Sequence, residues 1–195
     1  MNAHPVTVSD DQLVSELWAR DVQFLMGRPL SSKPQLTPAN FIALLAESEN
    51  ARVRLSLIPL FLRHPELSDE VEKADKLIST QAKQTTLRFF YTAALLLQKK
   101  YRERIHEIFG EQSSLPDLFS VQSGISLDAP PDQALAQLAQ RHRILSGRFI
   151  NWTGTYEHAA EVWLKQMELQ RDQAGKFDFN PDIRAHLQEL KKRLL

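Results

Sequence analysis

The stretch Lys83–Phe109, KQTTLRFFYTAALLLQKKYRERIHEIF, limits what this chain can fold into more than any other. From Leu87 to Leu97 it is apolar on nearly every side, interrupted only by Arg88 and Thr92. A helix that is apolar all round is one that other helices surround. Past Leu97 the apolar positions narrow to Tyr101, Ile105 and Ile108, a one-sided stripe. The pattern predicts one helix of about 25 residues over Lys83–Phe109, buried in its first half, amphipathic in its second, and stopped by Gly110. Its apolar run is about eleven residues, well short of the roughly 20 needed to span a bilayer. No segment alternates with period two, so the expected fold class is all-α, a compact bundle of about seven to eight helices around this central one.

Length and charge narrow the field. The 195 residues suit a single all-helical domain over 1–195. Lys plus Arg and Asp plus Glu number 24 each, so no global charge steers the chain toward nucleic acid or an anionic membrane. Cysteine is absent, which removes disulfides, thiolate metal sites and cysteine nucleophiles together. The first residues, MNAHPVTVSDDQ, lack a basic segment followed by an apolar run, so a cytoplasmic protein without a signal peptide is expected.

Local signals place the remaining helices. Ser9 with Gln12 has the capping-box spacing and opens a helix predicted to reach Met26, before Gly27 and Pro29. Thr37-Pro38 reads as a cap followed by proline at the first helical position, starting a short helix that ends near Ser48–Asn50. Ala51–Arg63 is crowded with apolar residues, and Pro59 inside it predicts a kink or break there. His64-Pro65 closes that segment and opens a helix over Glu66–Thr80. The turn RHPEL resembles one unit of a HEAT-like repeat, but a second copy is not found. Residues 111–131 are rich in Pro and Ser yet keep Leu115, Leu118, Phe119, Val121, Ile125 and Leu127. This mixture predicts an ordered connector strapped over the core, with a turn of helix at Pro116–Ser120. Helices are then expected from Pro131 to Leu145, from Thr155 to Gln173, and from Asp182 to Leu195 at the C-terminus.

Chemistry is harder to find. No two of the six histidines lie four residues apart, so no helix presents a two-His face, and no metal or other cofactor is expected. Phosphate-cradling glycine loops and the G-x-S-x-G elbow are also missing. Small helical ribonucleases of the HEPN type carry Arg and His separated by four to six residues. Here Arg102 and His106 have three between them and Arg148 and His158 have nine, so neither pair fits. No catalytic residue is assigned. Basic residues cluster at Lys99, Lys100, Arg102 and Arg104, and again at Arg141 and Arg143 (with Arg148 nearby). They offer either phosphate contacts or a solvated helix end that favours the macrodipole. The segment Asn151 to His158 combines Trp152 and Tyr156 with hydrogen-bonding side chains. Asn151, Trp152, Thr155 and Tyr156 are therefore candidate partner contacts, since Trp and Tyr favour interfaces. The same residues also suit the start of a helix, with Thr153 or Thr155 capping and the two rings packed in the core.

Three stretches, RVRLSLIPLFLRHPEL (Arg52–Leu67), FYTAALLLQKKY (Phe90–Tyr101) and NWTGTYEHAAEVWL (Asn151–Leu164), resemble those of a family of uncharacterised bacterial all-helical proteins. That family is associated with neighbouring nucleotidyltransferase-type genes, and some such pairs are toxin–antitoxin modules. The resemblance implies a small helical partner of a nucleotidyltransferase-like protein and carries no catalytic residues across. The expected function is thus a non-catalytic partner or regulatory protein in a toxin–antitoxin or defence pair. The alternatives are a nucleic-acid-binding helical module and an atypical HEPN-like RNase using Arg102 and His106. Self-association stays open, and no membrane partner is expected.

Overall fold

The computed structural model describes residues 8–178, and among these every regular element is helical. In order they are α1 (Asp10–Trp18), α2 (Pro38–Glu47), α3 (Ala51–Leu55), α4 (Leu57–Arg63), a 3-10 turn (Pro65–Glu70), α5 (Val71–Leu77), α6 (Gln81–Lys100), α7 (Arg102–Phe109), α8 (Ser120–Ser123), α9 (Pro131–Ser146) and α10 (Trp152–Asp178). The expected helix at Asp182–Leu195 lies outside the described residues.

The central helix is where the apolar run puts it. Leu87 and every residue from Phe89 to Leu97 are buried in α6, which packs against α2, α4, α9 and α10. Burying each large side chain there contributes about 1.5–3 kcal/mol. Arg88 leaves this face and holds Asp75 through two hydrogen bonds of 3.0 and 2.7 Å. None of the described helices is long and apolar enough to cross a membrane.

The single helix expected over Lys83–Phe109 is instead two. Tyr101 sits at φ −102°, ψ 22°, outside helical geometry, and its hydroxyl donates to Glu161 on α10 at 2.9 Å. This elbow swings α7 along α10, where Phe109 stacks on Trp163 at 5.3 Å between centroids. The stop at Gly110 is as expected, with φ 75° and its amide bonded to His106.

Other expected helices also divide. The break within 51–63 falls at Ser56, three residues before Pro59. Pro59 thereby becomes the third residue of α4, where no intrahelical donor is needed, and the proline costs nothing. The helix expected over Glu66–Thr80 begins as a 3-10 turn and ends at Leu77, leaving Thr80 to cap α6 through the Lys83 amide. The first helix stops at Trp18 rather than Met26. Asp21 is left-handed at φ 56°, and the Val22 amide reaches back to Leu17 at 2.9 Å while Asp21 bonds Trp18 at 3.1 Å. That pairing is a Schellman ending, with buried Val22 packed toward Leu17.

Two connectors are tied to the bundle by hydrogen bonds. Glu16 on α1 and Arg20 just past its end, both buried, form an ion pair. Glu16 accepts from the Gln35 and Leu36 amides at 2.8 and 3.2 Å, and Arg20 donates to the Leu36 carbonyl at 2.7 Å. The second is the Pro/Ser-rich strap. Gln98 accepts from the Leu115 amide at 2.8 Å and donates to Ser113, and Tyr91 donates to the Pro116 carbonyl at 2.8 Å. The strap's Leu115, Phe119 and Ile125 are buried while Val121 is 88% exposed, and its turn of helix comes at Ser120–Ser123 instead of Pro116–Ser120. Asp117, two residues before the cap residue Phe119, accepts from the Ser120 amide at 2.9 Å.

Removing one member of the Glu16–Arg20 pair strands a buried charge and frees the connector. Arg20→Ala is expected to lower stability by about 3–5 kcal/mol in urea unfolding. Arg102→Ala, on the surface, should stay within about 0.5 kcal/mol of the parent protein.

Candidate functional site

The corner where α9 meets α10 concentrates the features that ordinary packing does not explain. Leu135, Leu138 and His142 set the inward face of α9 against α6. Gly147 then turns the chain at φ 63°, a left-handed conformation that favours glycine. Arg148, Phe149 and Ile150 follow, and Asn151 opens α10 by accepting from the Gly154 amide at 3.1 Å.

α10 starts at Trp152, three residues earlier than Thr155. This shift decides the fate of the candidate partner residues. Trp152 and Tyr156, one turn apart, share the inward stripe with Ala159, Ala160 and Trp163, and all are buried. They are core residues and not exposed anchors. Asn151 and Thr155 serve the helix start, the latter donating to the Asn151 carbonyl at 2.8 Å.

Beneath the corner lies an aromatic cluster around His142. Its imidazole stacks on Trp152 at 3.6 Å between centroids and 17°, lies 4.7 Å from Phe89, and shares a hydrogen bond through Nδ1 with the Tyr156 hydroxyl. Burial, helped by the charge of Arg148, pushes the His142 pKa down to about 4. Burial also holds the Tyr156 phenol well above its usual value, so both groups are neutral at pH 7. The Trp152 Nε1 is buried with no hydrogen-bond partner among the described residues.

The outer surface is different. Ile144, Leu145, Phe149 and Ile150 are 69%, 64%, 90% and 39% exposed, four large apolar side chains within seven residues. Exposed apolar groups scattered singly are ordinary, but a cluster marks a contact site. A cleft of about 550 Å³ opens beside them, floored by Ala136, Ala139 and Trp152 and edged by Gln140, Arg143, Phe149 and Thr153. The Arg143 guanidinium lies over the Phe149 ring, 5.0 Å from its centroid.

Several residues of the candidate nucleic-acid face are engaged within the protein. Lys100 is held between Asp132 and Glu157 at 2.6 and 2.7 Å, and Arg104 binds Glu168 at 2.9 Å. Burial works against the Lys100 charge, but those two carboxylates outweigh it and raise its pKa. Arg141 lies over Gly124, and Arg143 belongs to the corner. Lys99 and Arg102 remain open beside His106, along a second cleft of about 630 Å³ that Glu103 and Glu111 also line. Among the described residues no three metal-ligating side chains gather.

Spacing alone could not find Phe149 and Ile150, because they sit in a connector outside any periodic stripe. The available signal was their position between Gly147 and Asn151, where a turn has no use for two large apolar residues. Comparison with family models, with curated proteins and with solved structures gives no match for this chain.

The low pKa of His142 makes stability pH-dependent. In the unfolded chain this imidazole takes its proton near 6.5, whereas in the folded protein it waits until about 4. Between these values the unfolded state binds more protons. The contribution is therefore complete above pH 6.5 and is lost as pH falls toward 4, by about 3 kcal/mol in all. His142→Phe is expected to lower stability at pH 7 by stranding the Tyr156 hydroxyl, and to flatten this part of the stability–pH curve measured by urea unfolding.

Proposed function

We propose that this protein is a non-catalytic helical partner that docks on, and regulates, a nucleotidyltransferase-like protein through the α9–α10 corner. The observation that supports docking is the exposure of Ile144, Leu145, Phe149 and Ile150 around an apolar-floored cleft. The resemblance of Arg52–Leu67, Phe90–Tyr101 and Asn151–Leu164 to partners of nucleotidyltransferase-type genes supplies the class of the other protein, with a toxin–antitoxin or defence pair as its setting. Trp152 and Tyr156 contribute by holding the start of α10 against α6, which fixes the direction in which Phe149 and Ile150 point outward.

Phosphate contact at the α7 cleft is the weaker reading. Lys99 and Arg102 there face Glu103 and Glu111, so the formal charges cancel. Nucleic-acid binding draws its free energy from uncompensated cations.

Co-expression with a nucleotidyltransferase-like protein encoded next to it should give one complex on size exclusion at micromolar concentration. Phe149→Ser is expected to weaken that complex by about tenfold or more, and Lys99→Ser to leave it unchanged. Two independent peaks for the parent proteins would overturn the reading.

A further inference from the structure

Resting on this docking reading, we infer that the corner receives an acidic amphipathic helix of the partner, with bulky apolar side chains in the cleft and carboxylates on Arg143 and Arg148. The charge distribution carries the argument. The chain as a whole is neutral, yet no acidic residue occurs between Asp132 and Glu157, an interval that holds Arg141, Arg143 and Arg148. Among the described residues no carboxylate lies within ion-pair distance of any of these three, whereas Lys100 and Arg104 across the bundle are fully paired.

Geometry gives each arginine a place in the contact. Arg143 lies across Phe149, 5.0 Å from its centroid, and a guanidinium stacked on a ring keeps its N–H edge free for a carboxylate. Arg148, exposed and adjacent to Phe149 in the chain, is the next charge along the sequence. Its charge repels that of Arg54 and, second to burial, lowers the Arg54 pKa, against the acids Glu49 and Asp10, which raise it. Of those acids, Glu49 is paired with Lys83 at 2.7 Å while also feeling Arg54 and Arg148, and Asp10 accepts from the Ser48 hydroxyl at 2.8 Å. A carboxylate brought in by a partner relieves that repulsion.

The apolar part sets the shape. A cleft of about 550 Å³ accommodates one or two large side chains, with Ala136 and Ala139 keeping its floor low. Phe149, Ile150 and Ile144 flank a helix laid over it, the arrangement by which amphipathic helices anchor in grooves. Residues 179–195 are not such an acidic segment. They carry four basic residues against two acidic ones, and a second copy presents the same arginines.

The test uses the full chain and two labelled synthetic helices in fluorescence anisotropy. One has Leu and Phe on one face with Glu on the other, and its twin has Lys in place of each Glu. The acidic helix is expected to bind about tenfold or more tightly than the twin, and Phe149→Ser and Arg148→Glu should each remove most of that binding. Equal binding of the twins, or none by either at about 1 mM, overturns the inference. Tighter binding of a short single-stranded RNA, lost in Arg148→Glu, also overturns it and assigns the rim to nucleic acid. The two proposals separate in the co-expressed complex. Loss of the complex in Phe149→Ser with retention in the Arg143→Glu, Arg148→Glu double variant keeps the docking reading and removes the acidic helix.

Discussion

Burial of one helix on all sides is the constraint from which the rest of this structure follows. α6 presents apolar side chains around its whole circumference from Phe89 to Leu97, so it is stable only when enclosed. α4, α9 and α10 each take part of that circumference, and α2 covers the remainder together with α5. The polar features then sort by distance from this hub. Where the chain needs a charge close in, it is matched, as Arg88 is by Asp75 and Lys100 by Asp132 and Glu157. Buried charges without partners are costly, and those pairs remove that cost while tying α6 to its neighbours.

The same constraint explains why the histidine beneath the corner is neutral. His142 faces α6 with Phe89, Phe90, Trp152 and Tyr156 around it, and its hydrogen-bond partner is a neutral phenol. Such a setting disfavours imidazolium whatever the pH of the cell. The cluster is a rigid footing, and the exposed arginine and apolar groups directly outside it belong to a different physical environment. Within the few residues from His142 to Phe149 the chain passes from a buried imidazole to an aromatic ring that is 90% exposed.

Features with local causes were legible in the amino-acid order. Ser9 with Gln12 and Thr37 with Pro38 cap the helices they precede, because cap geometry depends on residues within one turn. The enclosed nature of α6 was legible for a similar reason, since eleven consecutive positions carry it. The elbow at Tyr101 was not. Its hydroxyl is satisfied by Glu161, sixty residues away, and no periodicity within Lys83–Phe109 registers that bond. Nor was the Glu16–Arg20 tether, whose outer partners are backbone groups of the 19–36 connector. At the corner, aromatic content drew attention to Trp152 and Tyr156. The early start of α10 turned both inward and left Phe149 and Ile150 outside, a difference of three residues in one helix boundary.

The order of the elements along the chain has a consequence for biosynthesis. α2, α4 and α5 precede α6, so part of its surface can be covered as soon as it leaves the ribosome. α9 and α10, which cover Phe89, Phe90 and their neighbours, are made only after the strap and more than thirty residues later. During that interval neither of those helices is there to cover the Phe89 and Phe90 side of α6. Such a face is what holdase chaperones bind and what drives association between nascent chains. The strap, already tied to α6 by Tyr91 and Gln98, is the first shield available to it while the last helix is being translated.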